Sequence, residues 1–372
     1  MTTIISDNSI PDVMKAMVLK GHGGLDQLVW HEDWPVPQPQ AGEVLIRVAA
    51  CGLNNTDINT RSGWYSKDVK SGIDAGGASG FDAADDNSGS WSSNAITFPR
   101  IQGADVTGHI VAVGEGVDQR RVGARILVDP WILTSSWQNP DQAIYFGSEC
   151  DGGYAEYTTI KSENALSIET DLSDAELATF SCALSTAENL VNRTGLKPGE
   201  TVVIAGASGG VGSYACQLSR LRGARVIALA SASKKDALLA LGVDHVIDRN
   251  SPDLKQEIRE AAGGSVHVAL DVVGGFMTPI LLDVLSPFGR YSSSGAIAGP
   301  MIDFDLRALV YKDLQMTGAT IVPPGTMGRL VHLIERGAIK PSLAASYPLS
   351  DLHQAQTAFM EKAYSGNIVV TC

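Results

Sequence analysis

Short apolar runs separated by glycine and proline dominate the first part of this 372-residue chain. Stretches rich in Val and Ile at residues 15–21 (KAMVLKG), 43–50 (EVLIRVAA), 105–114 (DVTGHIVAVG) and 124–130 (ARILVDP) have the length and composition of strands. Residues 66–95 differ. They are loaded with Gly, Ser and Asp and lack periodicity, which marks a long surface insertion, either a functional lid or a disordered segment. From Ser173 the pattern turns helical, with Ser173 placed as an N-cap and Glu176 three residues on. Regular alternation follows. Strands are expected at 201–207, 224–231, 245–248, 266–274 and 289–296, with helical periodicity at 210–223 and 253–263 between them. Strand–helix alternation predicts an α/β domain with a doubly wound parallel sheet. A strand at 314–321, a helix at 325–337 and a final helix and strand then return the chain to the first domain. The expected division is a β-rich domain of residues 1–165 and 313–372, with 66–95 as an insertion or lid, and a Rossmann domain of residues 166–312.

The most informative local motif is VVIAGASGGVGSYACQL. A buried strand runs into Gly206, Ala207, Ser208, Gly209, Gly210 and Val211, and a helix follows at once. Small residues permit a tight turn and let backbone approach a pyrophosphate, while the helix N-terminus offers unpaired N–H groups. The pattern here is AxGxxG, and its strand-before, helix-after context carries the signal. An NAD site usually ends its second strand with an acid that binds the ribose 2′-OH. Here Ala230 and Ser231 stand in that place, followed by Lys234 and Lys235, with Arg249 after the third strand. Ser231, Lys234 and Lys235 suit a 2′-phosphate, with Arg249 closing the pocket, so NADP(H) is the expected cofactor.

Charge and composition remove other classes. A formal net charge of −13 repels nucleic-acid backbones. No apolar run is long enough to span a bilayer, and the first residues lack a signal-peptide pattern. The five scattered cysteines fit reduced thiols, hence an expected cytoplasmic location and no nucleic-acid or membrane partner. What remains unexplained is CGLNNTDINTRSGWY, residues 51–65, a polar stretch directly after an apolar strand.

Taken together, GEVLIRVAACGLNNTD, GADVTGHIVAVGEGV, GGYAEY, AGASGGVGSYACQL, LGVDHVID, DVVGG and GNIVV resemble the medium-chain dehydrogenase/reductase superfamily in content and order. The resemblance covers nearly the whole chain apart from 66–95. It implies a GroES-like β-rich catalytic domain plus a Rossmann domain, with the active site in the cleft between them. Zinc alcohol dehydrogenases of that superfamily carry metal ligands where this chain has Asn54 and Ala104, and only Cys182 remains at a third ligand position. A catalytic zinc needs about three protein ligands, so no metal site is expected. The sequence is instead similar to the zinc-independent quinone oxidoreductase and enoyl reductase branch, whose Asn-x-x-Asp and Gly-x-Tyr signature it matches. That resemblance implies Asn54 and Tyr65 beside the nicotinamide and the substrate carbonyl, with Asp57 holding the same catalytic loop by hydrogen bonds. It also places Thr186 near the nicotinamide, and Val273, Gly274, Ser294 and Gly295 against the cofactor through backbone groups.

The expected activity is NADPH-dependent hydride transfer to a quinone or another α,β-unsaturated carbonyl compound. Two alternatives stand beside it. One is an alcohol dehydrogenase or ketone reductase with a rearranged metal site drawn from Cys51, Asp57, Asp105 and Cys182. The other is a non-catalytic NADPH-binding protein. The strand at 314–321 is expected at a sheet edge, where it would seek a partner and make a homodimer.

Overall fold

The computed structural model describes residues 10–82, 96–133 and 143–372. Its first half is a seven-stranded sheet centred on Glu43–Gly52. On one side lie Asp105–Val113, Arg125–Val128 and Ala165–Ser167, and on the other Asn367–Thr371 and Leu343–Pro348. Tyr157–Lys161 pairs with the first half of the central strand. The central strand is buried almost throughout, as its continuous apolar run requires. A three-stranded sheet of Leu28–Pro35, Val13–Leu19 and Arg100–Ile101 shares its core through residues such as Met17, Leu45, Ile110 and Tyr154.

The second half is a six-stranded parallel sheet. Its order is His245–Asp248, Arg225–Ala230, Thr201–Ala205, Val268–Asp271, Arg290–Ser293, Gln315–Gly318. One face buries Val202 with Leu190, Tyr214 and Met327 of helices Ser181–Thr194, Gly210–Leu221 and Thr326–Glu335. The other buries Val203, Ile258 and Leu281 under helices Leu254–Ala262 and Met277–Val284. Each such side chain contributes about 1.5–3 kcal/mol on burial. This is the GroES-like plus Rossmann arrangement that the sequence implies. Among the described residues, no helix is long and apolar enough to cross a membrane.

Three boundaries differ from the sequence reading. The helical stretch after Ser173 is split into Asp174–Leu177 and Ser181–Thr194. Ser173 and Glu176 do form the capping box, but Thr179 and Phe180 are both fully buried, and the chain turns between the helices to bury them. The return to the first domain falls near residue 341 rather than 313. Gln315–Gly318 joins the parallel sheet, and Met327, Leu330 and Ile334 join the Rossmann core. Finally, residues 66–82 do not lie free on the surface. Ser66, Val69 and Ile73 are buried. The rest of the expected insertion, 83–95, lies outside the described residues.

Candidate active site between the two domains

The central strand ends at Gly52, where any side chain would overlap the Ala178 carbonyl. The chain then turns into the helix Asn55–Ser62, capped by Asn54 in extended conformation. Asp57, three residues past the cap, accepts the Asn54 backbone N–H at 2.7 Å and the Tyr154 hydroxyl at 2.9 Å on one carboxylate oxygen. Gln102 donates to the Asp57 carbonyl at 3.0 Å. Burial raises the Asp57 carboxyl to about 6. Its hydrogen bonds run inward, so Asp57 positions the loop.

Asn54 is held from its other side. Its amide donates to Asp105 Oδ2 at 3.0 Å, and Asp105 Oδ1 accepts the Cys182 backbone N–H at 2.6 Å. Asp105 therefore joins the 54–57 turn to the first turn of helix Ser181–Thr194. Burial lifts its carboxyl to about 7. Tyr65 is half-buried and stands edge-on to Trp64. Its hydroxyl donates to Thr56 Oγ1 at 3.2 Å and also bonds the Asn59 side chain. Burial raises the phenol to about 12.

A wall that the sequence reading did not anticipate faces this loop. Tyr145, in the short strand Ile144–Tyr145, pairs with Trp131 and stacks edge-on against it at 5.0 Å. Ala104, Trp131, Ala143, Tyr145 and Val322 form one buried apolar cluster, with Cys182, Leu133 and Ile321 packed on it. The side chains of Tyr145 and Thr186 neighbour the Cys182 thiol. Burial pushes the Cys182 thiol up, out of reach of ordinary pH.

The cofactor end is built from backbone. Gly206 has φ +69°, and a Cβ on Gly212 would overlap the Gly206 carbonyl, so the helix Gly210–Leu221 starts hard against the strand end. Gly209 caps that helix without a side-chain acceptor, which leaves first-turn N–H groups, Gly210 and Val211 among them, for an anion. Ser208 O accepts the Gly366 N–H at 2.9 Å, and a side chain on Gly210 would overlap the Asn367 amide. These contacts fix the glycine loop, with Ala207 buried behind it, against the catalytic domain.

At the far end of the second strand, Ser231 Oγ lies 3.4 Å from Ser233 Oγ. Lys235 and Arg249 are exposed, and the Arg249 N–H donates to Ala230 O at 2.9 Å, which sets Arg249 just beyond the strand. Lys234 is used elsewhere. Its ammonium donates to the carbonyls of Lys362 and Tyr364 at 2.7 and 2.6 Å. The expected contact loops come together, since Ala298 N–H donates to Val273 O at 2.8 Å and Ser294 N–H to Asp271 O at 3.2 Å. However, Val273 and Gly274 already give their N–H groups to Asp271 Oδ1, at 2.7 and 3.0 Å. Those two donors are thus spent on the fold. Gly295 likewise accepts Ser293 Oγ at 3.1 Å.

Lys362 is a further residue the sequence reading passed over. Its ammonium donates to Asn55 Oδ1 at 2.9 Å and lies 4.1 Å over the Phe359 ring, and burial lowers it to about 8. Residues 66–77 cross from the 54–65 loop to the Rossmann domain. Trp64 Nε1 donates to Ser71 O at 3.0 Å, and Ile73 N–H donates to Ile297 O at 3.0 Å. A Cβ on Gly72 would sit 2.8 Å from that same carbonyl. Fully buried Arg61 anchors the crossing through Gly77 O at 2.6 Å, Gly23 O at 2.8 Å and Gln356 Oε1 at 2.9 Å.

A β-rich domain and a Rossmann domain meeting over a glycine loop define a nucleotide-dependent oxidoreductase of two-domain type. Family models agree: "Alcohol dehydrogenase GroES-like domain" matches residues 40–170 and "Zinc-binding dehydrogenase" matches residues 210–336. The chain is 45% identical to a putative alcohol dehydrogenase from Sinorhizobium meliloti 1021, over 98% of each chain, with a TM-score of 0.88. It is 28% identical to an NAD-dependent alcohol dehydrogenase of Sulfolobus acidocaldarius, covering 96% of this chain and 99% of the relative. It is 25% identical to an acryloyl-coenzyme A reductase of Metallosphaera sedula, covering 96% and 100%. The chain belongs to the medium-chain dehydrogenase/reductase superfamily, and its activity class is oxidoreductase.

Proposed function

We propose that this enzyme uses NADPH to reduce the activated carbon–carbon double bond of an α,β-unsaturated carbonyl compound, or the equivalent position of a quinone. The observation that carries the reading is the donor set around Asn54. Its amide is tied to Asp105, the neighbouring position is the buried methyl of Ala104, and the Cys182 thiol has Tyr145 and Thr186 as neighbours. Among the described residues, no three His, Cys, Asp or Glu side chains group to hold a metal ion. This donor set does not fit a catalytic zinc, which needs about three protein ligands, and no step here runs through one. What the cleft offers a developing oxyanion is neutral hydrogen-bond donors.

Bound NADPH supplies the hydride. The chain supplies the rest. First-turn N–H groups at 210–212 hold the pyrophosphate, and Ser231, Lys235 and Arg249 receive the 2′-phosphate. Thr186 borders the nicotinamide. Asn54 and Tyr65 line the substrate carbonyl, with Asp57 and Asp105 fixing the loop that carries them. In this reaction the hydride adds to the β-carbon, the double-bond electron pair moves to the carbonyl oxygen, and the α-carbon takes a proton from water.

One observation favours an NAD-linked alternative. Asp248 stands beside Ala230 in the sheet, and an NAD-dependent relative is named above. Initial rates with NADPH and NADH across quinones, enals, enoyl thioesters and ketones, with metal content measured on the same preparation, separate the readings. NADPH-driven reduction of enones or quinones supports the proposal. Ketone reduction that depends on stoichiometric metal overturns it.

A homodimer and a cytoplasmic location belong to the same proposal. The outermost strand, Gln315–Gly318, is exposed at every residue, and Phe288, Leu306, Val310 and Tyr311 expose apolar surface nearby. All five cysteines are free thiols. Val310→Glu should convert the dimer to a monomer in sedimentation velocity, and an unchanged dimer would redirect the search for the interface.

A further inference from the structure

We propose that residues 71–77 form a latched strap at the nicotinamide end of the cofactor cleft, and that the nucleotide enters and leaves only when the Ile73–Ile297 contact opens. This gating rests on the reading that a nicotinamide nucleotide binds along the glycine loop.

The order of the parallel sheet fixes where such a nucleotide runs. Neighbouring strands release the chain at Ser231, Gly206, Val272 and Ser294, in that order across the sheet. Ligands of open α/β sheets bind beyond these carboxyl ends. With the pyrophosphate on the first turn at 210–212 and the 2′-phosphate at Ser231, the nicotinamide lies toward Val272 and Ser294. That end of the row meets the other domain at Ile297. Its carbonyl accepts the Ile73 N–H at 3.0 Å, and a Cβ on Gly72 would lie 2.8 Å from the same oxygen. A Cβ on Gly299 would in turn lie 3.5 Å from Gly72 N. Ala298 N–H donates to Val273 O at 2.8 Å, so the strap packs on 297–299 and 297–299 packs on the loop after Asp271.

The two ends of the strap are held unequally. Gly77 O accepts Arg61 Nη2 at 2.6 Å, and Gly77 N–H donates to Ile73 O at 2.7 Å. Arg61 is fully buried, and its other donors go to Gly23 O at 2.8 Å and Gln356 Oε1 at 2.9 Å. Phe81 N–H donates to Ser62 O at 3.0 Å. That end is therefore fixed to the catalytic domain. Trp64 Nε1, donating to Ser71 O at 3.0 Å, ties the strap to the same domain. Among the described residues, one hydrogen bond joins 71–77 to the Rossmann domain, from Ile73 N–H to Ile297 O. Opening breaks that bond and leaves the Arg61 anchor intact. Segments held by few contacts at one end are the ones that open locally and set exchange rates.

The test is stopped-flow fluorescence of NADPH association and dissociation, with NADH used in its place if it binds more tightly. Two variants loosen the latch by different means. Ile73→Pro removes the N–H, at the first position of a short 3-10 turn after Gly72 in extended conformation, a setting that proline accepts. Gly72→Ala keeps the N–H and adds a wedge against Ile297 O, at a φ of −68° that any residue adopts. The latch is made in free and bound protein alike, so loosening it speeds entry and exit together. Both variants should raise both rate constants by about fivefold, the effect of one backbone hydrogen bond. The dissociation constant should stay within about twofold of wild type. Ile73→Val, which keeps the N–H and trims the side chain, should match wild type. Unchanged rates in both variants overturn the latch and leave the cofactor reading standing. Faster dissociation at an unchanged association rate also overturns it, since the strap would then be a binding contact. If wild type binds neither nucleotide, the latch and the cofactor reading fall together.

Discussion

The two ends of the cleft are built on opposite plans. At the glycine loop the working groups are backbone N–H, and the side chains matter mainly by being absent. At the 54–65 loop the backbone is ordinary helix, and the shape depends on two buried carboxylates, Asp57 and Asp105, that reach across the chain to Tyr154 and Cys182. The first plan tolerates chemical change but not volume. The second tolerates volume but not the loss of a hydrogen-bond partner. Variants at each end should therefore fail in different ways.

The largest effect is expected at Gly212. A side chain there would overlap the Gly206 carbonyl and reach within 2.6 Å of Ala207 Cα. Gly212→Val should abolish nucleotide binding, as measured by quenching of NADPH fluorescence. Binding within tenfold of wild type would mean the loop can open without losing its function. The counterpart on the other plan is Asp57→Ala. It leaves the Asn54 N–H and the Tyr154 hydroxyl buried without their acceptor, and each such orphan costs about 1–3 kcal/mol. Urea unfolding should show a loss of about 3 kcal/mol or more, while NADPH affinity changes little. A loss of cofactor affinity of the same size would show the two ends to be one unit.

A smaller effect is expected at the phosphate end. Arg249→Ala should weaken NADPH by about tenfold, near 1.4 kcal/mol, and leave NADH nearly unchanged. Equal losses for both cofactors would remove Arg249 from the 2′-phosphate site. Smaller again is a pH effect peculiar to the carboxylate plan. Burial raises Asp57 to about 6 and Asp105 to about 7, from an ordinary 3.8. Between pH 4 and 7 the folded protein holds protons that the unfolded chain has released. Stability from these groups is therefore greatest at low pH and declines as pH rises through 6 to 7. Asp105→Asn should flatten that decline in unfolding midpoints taken from pH 5 to pH 8. An unchanged slope would place the titration elsewhere.

The same contrast explains what the sequence could reveal. The glycine loop is legible because its groups are contiguous and its geometry needs small residues at fixed spacing. All five Rossmann strands before residue 300 lie where their apolar runs place them. The 54–65 loop is legible only in part. Asn54, Asp57 and Tyr65 are close together and conspicuous, but the partners of Asn54 and Asp57 come from far along the chain: Gln102 from before a strand, Asp105 from that strand, Tyr154 from farther still. Composition misleads outright at 66–82. Its Gly and Ser content suggests a free surface segment, yet Arg61 is buried beneath it and holds it through the Gly77 carbonyl. A charged side chain in the interior is not something hydrophobic periodicity can announce. Lys234 shows the reverse case, a conspicuous cation after the second Rossmann strand that is spent on the carbonyls of Lys362 and Tyr364.

The central claim is that this cleft stabilises charge on a conjugated carbonyl oxygen with neutral donors while hydride goes to carbon. Product analysis after incubation of the purified protein with NADPH and but-3-en-2-one tests it most directly. The account predicts butan-2-one, the product of carbon–carbon double-bond reduction, with one NADPH consumed for each molecule formed. But-3-en-2-ol, the product of carbonyl reduction, would contradict it and return the site to the alcohol dehydrogenases.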